Sequence, residues 1–250
     1  MILEFCGLPG AGKSTLEREL VAILAQRGHP LLLRDEAVID YIRAKLWSGY
    51  SQTSAMRRFA TAAYKASLLR ATFAPRIMHH NPVSFAKVHL LRTSMRLAED
   101  IRLSEWFAFN LPATSLLVLS EGVIQHLSAC HAWQDILRRR ERSGSVAASI
   151  TMHDQPHHRV IIHVNVPIDV ALKRLRRRCV PAKWPNGVSP KTVVDAFSRA
   201  LPHTMARQAC NQNITILPVD GTAAEADWPT VAASLAKDIS LVGCSAKGII

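Results

Sequence analysis

Five short runs punctuate the chain, each apolar almost throughout: Ile2 to Cys6, Leu31 to Leu33, Ser115 to Leu119, Arg159 to Val164 and Ile214 to Val219. None alternates apolar with polar residues, so each reads as a strand covered on both faces. Between the runs apolar positions recur at helical spacing, beginning with Ser14 to Gln26, which Gly28 ends. This alternation predicts an α/β fold with a five-stranded parallel sheet and right-handed crossovers, within a single domain over 1–250. The crossover from the second strand to the third, 37–114, is the longest and carries no strand pattern. It predicts a helical insertion broken near Tyr50-Ser51, Pro75 and Pro82, with Pro112 ending its last helix. A connection of that length has a task of its own, and walling an acceptor pocket is the one expected here.

The first strand runs straight into Gly7-Leu8-Pro9-Gly10-Ala11-Gly12-Lys13-Ser14-Thr15, which matches the Walker A pattern in full. Its chemistry dictates the residue types. Glycines let successive backbone N–H groups turn inward around phosphate oxygens, and the N-terminus of the following helix favours their charge. Lys13 adds a positive charge at the β- and γ-phosphates, and the Ser14 hydroxyl is placed to ligate Mg²⁺. ATP and Mg²⁺ are therefore the expected cofactors. Asn-Lys-x-Asp, which reads guanine in switch GTPases, is absent, as are an ABC-type Ser-Gly-Gly and the usual Asp ending the third strand.

Composition narrows the partners. The 31 Lys and Arg outnumber the 19 Asp and Glu, and the resulting +12 charge attracts polyanions or phosphorylated small molecules. With no basic tail and no repeat, a small-molecule acceptor is favoured over nucleic acid, and a homodimer is compatible with the sequence. No apolar stretch approaches the about 18 residues of a membrane span. Five scattered cysteines without a C-x-x-C pair, and no secretion signal, suggest reduced thiols and a cytoplasmic protein. His126-x3-Cys130-His131 and His153-x3-His157-His158 lack the second ligand pair of a structural zinc site.

In motif order the chain resembles the P-loop nucleoside and nucleotide kinase superfamily, thymidylate kinase-like members above all. Arg34-Asp35-Glu36 stands where that family has Arg-Glu-Pro, and Ser120-Glu121 where it has Ser-Asp-Arg. Leu172 to Arg178 follows the start of its lid, and Val219-Asp220-Gly221-Thr222 its adenine-side turn. Departures are equally plain: Gly122 replaces the family's Arg, and the nucleobase-reading stretch cannot be placed. The resemblance implies a P-loop kinase-like three-layer sandwich with an arginine-bearing lid over 174–200, and Gly221 and Arg178 beside the nucleotide.

Phosphoryl transfer asks a protein to align two oxygens and to neutralise spreading charge. Arg174 and Arg178 lie four apart on one helix and are the expected lid pair, while Arg176 and Arg177 point elsewhere. Asp35 and Glu121 fall at C-terminal ends of strands, where ligands collect. One would take the acceptor proton and the other orient a Mg²⁺-bound water; the resemblance implies Asp35 as base and Glu121 on the metal side, and the reverse stays open. Arg57, Arg70, Arg76, Arg92 and Arg96 are candidates to hold an anionic acceptor, with Gln125 as a polar reader. Phe59, Trp106, Phe107 and Phe109 are read as core. The expected activity is transfer of the γ-phosphate of ATP to a small acceptor, a nucleoside or nucleotide first. A sugar, glycan component or antibiotic hydroxyl is the alternative, and a nucleic-acid-associated or regulatory ATPase is the second.

Overall fold

The computed structural model describes residues 1–46, 85–112, 114–141, 158–177, 188–209, 211–222 and 227–245. The five apolar runs form five strands, β1 Ile2–Gly7, β2 Leu31–Leu33, β3 Leu116–Leu119, β4 Arg159–Asn165 and β5 Ile214–Asp220. They make one parallel sheet in the order β2-β3-β1-β4-β5. β1 lies at the centre, with Ile2 opposite both Leu117 and Arg159. Full burial holds for β1 and β3, whereas the edge strands β2 and β5 are largely half-exposed because each has a neighbour on one side only.

Seven helices accompany the strands among the described residues: α1 Lys13–Gln26, α2 Arg34–Leu46, α3 Phe85–Asn110, α4 Val123–Glu141, α5 Ile168–Arg177, α6 Pro190–Gln208 and α7 Trp228–Ser245. Successive strand residues point to opposite faces, and this sorts the core. Leu3, Phe5, Val118, Val160 and Ile162 pack with Leu16, Leu20 and Leu24 of α1 and with Trp228 and Leu235 of α7. On the other face Ile2, Leu117 and Leu119 meet Val38, Leu103 and Phe107 of α2 and α3, while Cys6 and Ile161 meet Ile124 and Leu201 of α4 and α6. The result is the expected three-layer sandwich.

The helical insertion is present at both its ends, as α2 and α3. Helix α3 stops before Pro112, as predicted, and the breaks at Tyr50-Ser51, Pro75 and Pro82 lie outside the described residues. Of the lid region, 174–177 closes α5 and 190–200 belongs to α6, whose Val193, Val194, Ala196 and Phe197 are buried. Ser189 caps α6, its hydroxyl accepting from Thr192 N–H at 3.1 Å, and Pro190 occupies the first turn.

A carboxylate sits inside this apolar architecture. Glu4 of β1 is fully buried and pairs with Arg159 of β4, itself 1% exposed. Its second oxygen accepts from Ile124 N–H at 3.2 Å, which places a negative charge at the N-terminus of α4. Gly122 makes the room: a β-carbon there would overlap the Glu4 carboxylate. This is why glycine stands where the resembled family has arginine.

Candidate active site

The phosphate loop joins β1 to α1, and its backbone is shaped for an anion. Gly12 is the N-cap of α1 with φ +99°, and no side chain caps the helix, whose N-terminus points into the loop. Gly10 has φ +88°, and a β-carbon on it would lie 2.5 Å from the Ala171 carbonyl oxygen of α5. Both positions exclude other residues. Lys13 is buried, its Nζ donating to the Gly7 and Leu8 carbonyls at 3.0 and 3.2 Å. Its ammonium thus lies along the inside of the loop. The loop backbone, the lysine and the exposed Ser14 hydroxyl at the helix start suit a nucleotide tail with its Mg²⁺.

A cavity of about 380 Å³ opens beside the loop. Pro9, Gly10, Ala11, Gly12, Lys13 and Ser14 form one wall of it. His89, Arg92, Thr93 and Arg96 of α3 form another, and Glu121, Gln125, His126 and Trp133 a third. Arg92 and Arg96, exposed and one turn apart, both line the cavity. The other proposed acceptor arginines, Arg57, Arg70 and Arg76, lie outside the described residues. Trp133 stacks on His89 at 5.1 Å and 26°, giving the cavity a flat aromatic surface. Trp106 and Phe107 are core as read; Phe109 is 81% exposed instead, and Phe59 lies outside the described residues.

The two nominated carboxylates are placed differently. Glu121 lines the cavity, and among the described residues it is the one carboxylate that does. The Asp35 side chain is 97% exposed, is not among the cavity-lining residues, and lies 3.8 Å from Arg34. β2 passes into α2 with no intervening loop, so Asp35 sits in the first turn of a helix rather than on a ligand-binding turn. Gln125, which also lines the cavity, accepts through Oε1 from Gly7 N–H at 3.0 Å and so holds the phosphate loop.

Arg174 is likewise a structural tie. Its guanidinium donates to the Ala11 carbonyl at 3.1 Å and to the Gly221 carbonyl at 2.7 Å, joining the phosphate loop to the turn after β5. Gly221 N–H donates in turn to Asn165 at 2.8 Å, so that turn is anchored at both of its polar groups. Arg178 lies outside the described residues.

Sequence reading missed three groups around the site. Glu17, one turn beyond Ser14, accepts from Ser120 Oγ at 2.6 Å. Burial raises its carboxyl above the usual range, and neighbouring Glu121 adds to the rise. Asp100 and Glu99 of α3 grip Arg34, Nε to Asp100 and NH2 to Glu99, each at 2.8 Å. His126 of α4 meets the second Asp100 oxygen through Nδ1 at 2.7 Å. These residues come from α1, α2, α3 and α4, and only the packing of the helices unites them.

A parallel sheet in this order, with a glycine loop entering its first helix, defines an α/β phosphate-loop fold of the kinase type. Among solved structures the chain aligns with deoxyadenosine kinase from M. mycoides, determined with products dCMP and a flexible dCDP bound. That alignment covers 95% of this chain and 100% of the other at 10% identity, with a TM-score of 0.52. Forms of that enzyme with dCTP and with dATP align at 10% and 9% identity, TM-scores 0.45 and 0.47. The dCTP form covers 95% of this chain and 100% of its own, the dATP form 94% and 98%. At such identity the likeness establishes the fold alone. No protein-family model matches the chain, and no curated protein matches it in sequence.

Proposed function

We propose that this protein is a phosphotransferase that moves the γ-phosphoryl group of ATP to a hydroxyl of a small acceptor, a nucleoside or nucleotide first. The observation that carries the proposal is the shared cavity. One wall is the phosphate loop, and the facing wall carries Arg92, Arg96 and the stacked pair His89 and Trp133. A flat ring and an anionic or polar substituent both find partners there. The solved neighbour's bound deoxynucleotides agree with that choice of acceptor.

The residues divide the work. The loop amides and Lys13 hold the β- and γ-phosphates and take up charge as transfer proceeds. Ser14 would ligate Mg²⁺, which would neutralise phosphate charge when bound. Arg174 and Gln125 keep the loop in shape from opposite sides. Glu121 faces the acceptor and receives its proton, the reverse of the role the resemblance implies, because Asp35 is turned to solvent. Arg178 remains the proposed lid cation.

The test is a mass-spectrometric screen for phosphorylated products with ATP, Mg²⁺ and pooled nucleosides, nucleotides, sugars and aminoglycosides. A nucleoside or nucleotide gaining one phosphate supports the proposal. Product confined to a sugar or an antibiotic moves the acceptor class and keeps the reaction. ATP binding with no product, and hydrolysis raised by DNA or RNA in a steeply salt-dependent way, overturns it in favour of a nucleic-acid-associated ATPase.

A further inference from the structure

Behind Glu121 lies a buried imidazole that the proposed reaction does not yet use. The His126 side chain is 5% exposed, and its Nδ1 meets Asp100 Oδ2 at 2.7 Å. Asp100 is fully buried and is held from the other side by Arg34. A carboxylate only accepts, so in the neutral ring this contact assigns the proton to Nδ1 and leaves a lone pair on Nε2. That Nε2 is buried without a hydrogen-bond partner among the described residues, and it lies 3.8 Å from Glu121 Oε2 at the cavity wall. An unmatched buried acceptor costs about 1–3 kcal/mol and is rarely retained without a use.

We propose that His126 is a proton-relay residue: it takes from Glu121 the proton that Glu121 receives from the acceptor hydroxyl, with Asp100 holding the ring in the required tautomer. This rests on the phosphotransferase reading. In the step, the acceptor oxygen bonds to the γ-phosphorus while the bond from that phosphorus to the β,γ-bridging oxygen breaks, its electron pair leaving with ADP. The hydroxyl proton passes to Glu121 and on to His126 Nε2. The ring becomes an imidazolium whose Nδ1–H still points at Asp100, Glu121 is again a carboxylate, and the proton returns to solvent after product leaves. Glu121 is the catalytic residue; His126 and Asp100 act through it. The charged groups in contact with the ring are Asp100, with Arg34 and Glu99 behind it, and Glu121 across from Nε2; Lys13, His89, Arg92 and Arg96 line the same cavity.

His126→Asn separates relay from scaffold, because an asparagine amide reproduces Nδ1 toward Asp100 and has nothing at Nε2. The variant is expected to melt close to wild type and to bind ATP with unchanged affinity. Its kcat should fall at least about tenfold with the acceptor KM altered less than about threefold. The acid limb of its kcat profile should move to lower pH, since a carboxylate alone then receives the proton. Independently of activity, imidazole nitrogen shifts of the free wild-type protein should show His126 protonated at Nδ1 and bare at Nε2. An Nε2–H tautomer overturns the relay, as does wild-type kcat with an unmoved acid limb in His126→Asn. Wild-type protein that binds ATP and transfers to no acceptor overturns the phosphotransferase reading, and the relay with it.

Discussion

Replacing Arg174 with alanine separates two meanings of an arginine beside a phosphate loop. As a lid cation it would reach for the moving phosphoryl group; in the structure both of its described bonds go to main-chain carbonyls, Ala11 and Gly221. A hydrogen bond from a charged donor contributes about 1.5–3 kcal/mol when buried. Arg174 is half-buried and water can replace it on either carbonyl, so about 1 kcal/mol for each bond, and about 2 kcal/mol together, is the reasonable sum. For a chain of this size that lowers Tm by about 4–8 °C. An unbraced loop must then be ordered by the nucleotide itself, so ATP affinity falls by up to about 30-fold, the equivalent of the same energy. The acceptor step is untouched, and kcat stays within about threefold. Arg174→Lys, with a point charge in place of a fork, should recover about half of the lost stability. Scanning calorimetry, isothermal titration with ATP and steady-state kinetics read these quantities separately. A variant with wild-type Tm and ATP affinity but a kcat reduced a hundredfold would refute the brace and restore the lid role.

Four further outcomes follow from the same geometry. Lys13→Ala should keep its circular-dichroism spectrum and lose phosphoryl transfer below detection; equal activity would remove the loop from the chemistry. Glu121→Gln should lower kcat by about 10²-fold while Asp35→Asn stays within about twofold, as expected for a solvent-facing side chain; the opposite ranking in kinetics would exchange their roles. Gly10→Ala forces a side chain into a left-handed conformation costing about 1–2 kcal/mol and against the Ala171 carbonyl, so urea denaturation should show a loss of at least that size. Burial holds His131, His158 and His163 below the ordinary imidazole value, with Lys13 adding to the effect at His163. Their neutral forms therefore stabilise the fold fully above about pH 6.5, and that contribution is lost as pH falls and the unfolded chain binds protons first. The Met1 ammonium, lowered by burial to about 6, works with them, and Glu17, raised by burial, works the other way. Tm should drop between pH 7.5 and 5.5, less so in His163→Gln, and a Tm that rises on acidification would contradict the assignment.

The strands were legible because central parallel strands carry an unbroken apolar signature, and the loop because its chemistry leaves few residue choices. What escaped was the polar content of those same strands. Glu4 and Arg159 each look like one flaw in an apolar run, and only the register of β1 against β4 turns them into a buried pair. Asp35 follows the end of β2 as read, but its solvent-facing direction was not legible, because nothing local distinguishes a strand-end turn from a helix that begins without a loop. His126 and Asp100 stand 26 residues apart on different helices, beyond any spacing rule. The signal that was available is the carboxylate in Ile2-Leu3-Glu4-Phe5, since a charge is rarely tolerated in a central strand without a partner.

The most direct measurement is ADP release from Mg²⁺ and ATP by one preparation, with and without a nucleoside pool and again with polynucleotide. Release that rises at least about tenfold with nucleosides, and by the same amount as phosphorylated product appears, is the predicted result. Release indifferent to every small acceptor but driven by polynucleotide would contradict it.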